Sequence, residues 1–194
     1  MPILGIIASA ISGNLTPPVI QAYESIATSV VGSGGVSSVT FSSIPQTFTH
    51  LQIRGIARST RGNAESDPLA YQFNSDTTNT NYGNHNLAGD GASVTSGYIA
   101  PSFWSVYYMP TVLTLSNVFG VFVTDILDYK NTNKYKVTRS LGGADWNNTG
   151  TERGTVSLNS TLWQNTNAIT SITVSGAFGG LAQYSSIALY GIKG

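Results

Sequence analysis

From Glu24 onward the chain alternates apolar and polar residues in short runs, broken by Gly, Asn and Ser, and helix signals are almost absent. Alternation with period two sends successive side chains to opposite faces of a strand, so these runs predict antiparallel sheets. His50 to Arg58 is the clearest run: Leu51, Ile53, Gly55 and Ala57 share a core face, with Gln52, Arg54, Ile56 and Arg58 on a solvated one. Ser25 to Val31 and Val36 to Phe41, joined by Gly32-Ser33-Gly34-Gly35, predict a hairpin. Asn117 to Leu127 (NVFGVFVTDIL) is apolar for most of its length, which predicts a central strand. In Lys134 to Leu141, Tyr135, Val137 and Arg139 alternate with Lys136, Thr138 and Ser140. Leu69 to Phe73, Thr155 to Leu158, Ile169 to Val174 and Tyr184 to Ile192 supply further strands. Only Ser160 to Asn165 offers a helical turn. The fold expected is all-β, an antiparallel β-sandwich of jelly-roll type, with the Asn-, Ser- and Tyr-rich stretch Asn74 to Pro110 as extended loops or a decorated hairpin.

Ahead of that domain, residues 23–194, stands a segment of another character, residues 1–22. It opens MPILGIIASAISGNL and ends in a linker stiffened by Pro17-Pro18. The apolar run resembles the middle of a secretory signal, but no Lys or Arg precedes Arg54, and the run is too short to span a bilayer. It reads as a docking arm, with Ile3, Leu4, Ile6, Ile7, Ile11 and Leu15 as its contact residues.

Composition narrows the function. Of 194 residues only 9% are charged, nine basic against nine acidic, where soluble domains average about 25%. A neutral chain without a basic stripe argues against nucleic acid as a partner. The absence of cysteine removes disulfides, thiol nucleophiles and thiolate metal sites. Near-zero net charge also favours self-association, which suits a subunit of an assembly.

Candidate chemistry is sparse, and no catalytic residue, metal site or cofactor is assigned. Asp125, Asp128, Asp145 and Glu152 could pair for glycan hydrolysis, but Lys130, Lys134 and Lys136 offer them simple ion pairing. His50 and His85 lack a nucleophile elbow to serve. Asp76 and Asp90 sit in loops rich in Asn and Gly, where Asx turns are expected before any calcium site. Arg54, Arg58 and Arg61 precede Glu65 and Asp67, a pattern read as ion pairs. Aromatic residues are the most suggestive group. Tyr82, Tyr98, Trp104 and Trp146 lie among Asn, Ser and Gly, as on adaptable binding surfaces, and would be the contacts of a glycan-recognising protein. The competing reading puts such aromatics in the core or a subunit interface.

Several stretches carry a resemblance: the opening MPILGIIASAISGN, Ala22 to Thr28, Ser43 to Arg54, Asp125 to Lys136 with Arg139 to Gly143, and Ser185 to Lys193. Together they resemble small virion proteins of tailed bacteriophages, especially those of aquatic bacteria such as cyanobacteria. The resemblance implies a non-enzymatic β-sandwich on the particle surface, a homotrimer by analogy with other phage surface proteins, with neither nucleic acid nor membrane as partner. The leading expectation is a capsid decoration or cement protein, its arm docked on major capsid subunits. The alternative is a tail fibre or receptor-binding protein that recognises host-surface glycan.

Overall fold

The computed structural model describes residues 22–99, 104–146 and 154–194. The arm residues Ile3, Leu4, Ile6, Ile7, Ile11 and Leu15, together with Glu152, lie outside the described residues. Within them the chain is all-β, with strands β1 (Tyr23–Val30), β2 (Ser38–Phe41), β3 (His50–Ala57), β4 (Ser66–Phe73), β5 (Tyr82–Gly89) and β6 (Val94–Ile99). These are followed by β7 (Trp104–Pro110), β8 (Gly120–Ile126), β9 (Lys136–Asp145), β10 (Gly154–Trp163), β11 (Ile172–Gly176) and β12 (Ser186–Ile192).

Two antiparallel sheets pack face to face. The larger runs β1-β12-β3-β8-β9-β10-β5-β6 and the smaller β2-β11-β4-β7. Setting aside β5–β6 and β9–β10 leaves β1-β12-β3-β8 opposite β2-β11-β4-β7, which is the strand order of a jelly roll. The two extra hairpins enter at separate points of the chain and meet edge to edge, β10 pairing β5 from Val156↔Gly89 to Trp163↔Tyr82. They form a wing that prolongs the larger sheet beyond β8.

Three local expectations change. The Ser25–Phe41 hairpin does not form, because β1 pairs with β12 in one sheet and β2 with β11 in the other. The glycine-rich loop carries the chain across the sandwich: Gly35 has φ of 73°, and a Cβ there would stand 2.7 Å from the Leu181 carbonyl oxygen. Of the two readings of Asn74 to Pro110, extended loops give way to the hairpin, which β5 and β6 form across Asp90 to Ser93, and the stretch adds β7 to the smaller sheet. Polar residues suit a strand when partner strands meet their backbone and their side chains bond one another. Ser160 to Asn165 holds no helical turn, since β10 runs straight through Trp163.

The core lies between the jelly-roll sheets. Leu51, Ile53, Phe122, Ile126, Ile187 and Leu189 face Val39, Phe41, Leu69, Phe73, Met109, Ile172 and Val174, all buried. Buried charges hold the surrounding loops. The Arg58 guanidinium donates to the carbonyls of Thr114, Leu115 and Val118 at 2.8–3.1 Å, so it organises a loop where an ion pair was expected. Asp67 accepts from the Ser59 hydroxyl at 2.6 Å and from the backbone N–H groups of Phe178 and Gly179; burial raises its carboxyl above the usual range. Lys136 is fully buried, and its ammonium donates to the carbonyls of Asn131, Lys134 and Thr166 at 2.6–3.1 Å.

Replacing Lys136 with Met keeps the volume and takes the charged donor from three part-buried carbonyls. Lys136→Met should lower stability by about 3 kcal/mol, read as a drop in the urea midpoint at unchanged slope. An unchanged midpoint would mean that water reaches those carbonyls.

Candidate functional site

The wing inverts the usual polarity of a sheet. In β9, Lys136, Thr138 and Ser140 are buried while Val137, Arg139 and Leu141 are exposed; in β10, Ser157, Asn159 and Thr161 are buried while Val156 and Leu158 are exposed. Hydrogen bonds fix this register. The Tyr71 hydroxyl on the smaller sheet meets Thr124 Oγ1 at 2.9 Å, and Thr124 donates to Ser140 Oγ at 2.8 Å. Farther along, Asn159 Nδ2 donates to Ser157 Oγ and the Thr161 hydroxyl to Asn84 Oδ1. Among the described residues Thr138 Oγ1 alone is buried without a partner; the other inward hydroxyls and amides are paired, and a slip of one residue would put all of them on the wrong face. With polar side chains committed inward, the intervening aliphatics have only the outer face.

Strand pairing lines them up in two adjacent rows. Ile56, Val121, Gly143, Val156, Gly89 and Val94 form one row across β3-β8-β9-β10-β5-β6. Val123, Leu141, Leu158 and Leu87 form the next, with Arg54 at its β3 end. Val121 is 57% exposed, Leu141 51%, Val156 58% and Leu158 45%, values far above those of ordinary sheet aliphatics. Gly143 leaves a furrow between Val121 and Val156, the floor of an open groove of about 860 Å³ walled also by Val123, Leu141 and Phe119.

A polar row borders the aliphatic ones: Gln52, Asp125, Arg139, Ser160, His85 and Tyr98. Gln52 donates to Asp125 at 2.6 Å and accepts from Arg54 Nε, whose guanidinium lies 5.3 Å and 5.6 Å from the ring centres of Tyr23 and Tyr190. Asp125 and Arg139 are direct cross-strand neighbours, so both signs of charge stand side by side on this border.

Of the four aromatics named for glycan contact, Tyr82, Tyr98 and Trp146 do not share an exposed face. Tyr82 is 1% exposed: its ring stacks on Phe73, and its hydroxyl accepts from the Phe73 N–H and donates to the Asp76 carbonyl. Trp146 is likewise buried. A buried ring offers no face to a sugar, so both leave the glycan set. Tyr98 is exposed on β6 and packs against His85 with ring centres 5.0 Å apart. Trp104 sits on β7 opposite Ala70, and its side chain lies outside the described residues.

Asp128, Asp76 and Asp90 hold loops. Asp128 pairs with Lys134, whose hydrogen bond holds the carboxyl below the usual range, and the Asp128 N–H donates to His50 Nδ1 at 2.9 Å. Asp76 and Asp90 close Asx turns, accepting respectively from the N–H of Thr78 and from those of Ala92 and Ser93. Asp76 also accepts from Trp163 Nε1 at 2.8 Å. What reading the sequence missed is the outer aliphatic face. Its signal is present in VSLNSTLW, where aliphatics alternate with Ser, Thr and Asn, but alternation alone does not say which set points inward.

Compared with models of known protein families, with curated proteins and with solved structures, the chain gives no match.

Burial pushes the Tyr82 phenol up to about 12 from the ordinary 10.0. A phenol harder to ionise when folded contributes stability that is intact below pH 10 and lost as pH rises from 10 towards 12. Chemical denaturation across that range should show falling stability. Tyr82→Phe should be less stable by about 1 kcal/mol at pH 7 but fall less steeply above pH 10. Parallel pH profiles for the two proteins would contradict this.

Proposed function

We propose that the chain is a structural subunit of a tailed-phage particle, a capsid decoration protein that binds major capsid subunits through its N-terminal arm. One observation carries the assembly reading: a jelly-roll domain of neutral charge presents rows of aliphatic side chains on the outer face of its larger sheet. Monomeric soluble domains rarely expose contiguous apolar patches of this kind, and a sheet face so built is normally buried under another layer. The arm is a second apolar feature of the same sequence, of a length suited to adding a strand or filling a groove on a partner. A subunit that binds only the assembled shell stabilises it by mass action, and needs no catalytic group for that purpose.

Jelly rolls serve capsids, lectins and enzymes alike, so the fold supports the virion assignment as analogy only. Resemblance of the quoted stretches to phage virion proteins supports it further. The glycan-binding alternative is weakened, since Tyr82 and Trp146 are core residues.

Two measurements test the proposal. A chain lacking Met1 to Leu15 should stay folded, with the jelly-roll sheets intact, and should lose incorporation into particles. Retained incorporation would overturn the arm as the docking element. Quantitative mass spectrometry of particles should find hundreds of copies; a few to tens would move the protein to the tail.

A further inference from the structure

We infer that the outer face of β8, β9, β10 and β5 is the contact surface between copies of this chain, with a second copy covering the aliphatic rows. This goes beyond the docking role of the arm and is carried by the sheet alone. The face has to be covered: Val121, Leu141, Val156, Leu158 and Leu87 are each about half exposed or more, and they are contiguous by strand register.

Three features select the occupant. The first is size. The four strands from β8 to β5 make a face about 19 Å by 20 Å, roughly 400 Å² in plan before side-chain relief. A stable interface takes about 800 Å² from each partner, so an occupant has to reach past the aliphatic rows onto the bordering strands, as a second sheet of this breadth does and a narrow peptide does not. The second is charge. The bordering row sets Asp125 beside Arg139, and the chain carries nine charges of each sign, so two copies approach without net repulsion. A border of one sign would repel its own copy, whereas a mixed one can pair acid with base across a two-fold axis. The third is relief. The furrow at Gly143, flanked by Val121 and Val156, supplies holes and knobs on a single surface, as a self-complementary contact requires.

A lipid surface fits less well. Sheets that face hydrocarbon are closed and carry an apolar band about 25 Å tall, whereas among the described residues this sheet does not close on itself, running from β1 to β6, and its two rows are bounded by Asp125 and Arg139.

The test is the mass of the full-length chain by sedimentation equilibrium, for the natural sequence and for Leu141→Glu, Leu141→Thr and Leu141→Ile. Leu141 is half exposed, so thermal melts should show all three variants folded. Leu141→Thr, a good strand former, stands in if Leu141→Glu does not fold. The natural chain and Leu141→Ile should be oligomeric at tens of micromolar, Leu141→Thr at least tenfold weaker and Leu141→Glu at least a hundredfold. A monomeric natural chain overturns the inference, as does an oligomer that Leu141→Glu and Leu141→Thr leave intact. Flotation of a monomeric chain with phosphatidylcholine vesicles, abolished by Leu141→Glu, would assign the face to lipid and overturn it too.

Discussion

A sheet of eight strands set against one of four leaves part of its inner face beyond the reach of a continuous apolar core. In this fold the shortfall falls on the wing. Beneath β1-β12-β3-β8 the smaller sheet supplies Val39, Phe41, Leu69, Phe73, Ile172 and Val174, and the inner residues of the larger sheet answer with Leu, Ile and Phe. Past β8, strand β7 is the last of the smaller sheet to approach, and the inner residues become Ser140, Ser157, Asn159, Thr161 and Asn84, with apolar packing resuming at Trp163 and Tyr82. Thr124 to Ser140 ties β9 to β8 and Thr161 to Asn84 ties β10 to β5, which holds these pairs in register. The aliphatics then have nowhere else to point, and the interaction surface follows from the hydrogen bonds beneath it.

The loops obey a related economy. With few charges available, the fold spends them on backbone carbonyls: Arg58 gathers three, Lys136 gathers three, and Asp67 collects two N–H groups and a hydroxyl. Charges used inside in this way are withdrawn from the surface. That partly accounts for a chain so poor in surface charge, and it leaves the aliphatic face with little electrostatic repulsion around it.

The architecture was largely legible in the residues. The Leu51, Ile53 and Ala57 face of β3 is the core face, and the apolar run that became β8 is an interior strand. Legibility failed where alternation could be satisfied in two ways. VSLNSTLW reads equally well with its aliphatics in or out, and the choice is made by long-range partners such as Asn84, far away in sequence. The Gly32–Gly35 loop looked like a hairpin because glycine marks a turn without saying whether the chain returns or crosses. Tyr82 reads as a surface aromatic because its neighbours are Asn and Gly; only the packing of Phe73 against both Tyr82 and Trp163 shows that end of the wing closed over, and Trp146, past the other end of β9, is buried as well.

Coverage of the aliphatic face can be read at a single position. The chain has no cysteine, so Val156→Cys creates one thiol in the exposed row beside the Gly143 furrow. Its alkylation by a maleimide, followed by mass spectrometry over a dilution series, reports whether another body lies on the face. If a second copy covers it, the thiol is protected at high protein concentration and reacts at the rate of a free thiol once dilution separates the copies. A rate that is fast and unchanged at every concentration would contradict the assembly of this sheet on itself.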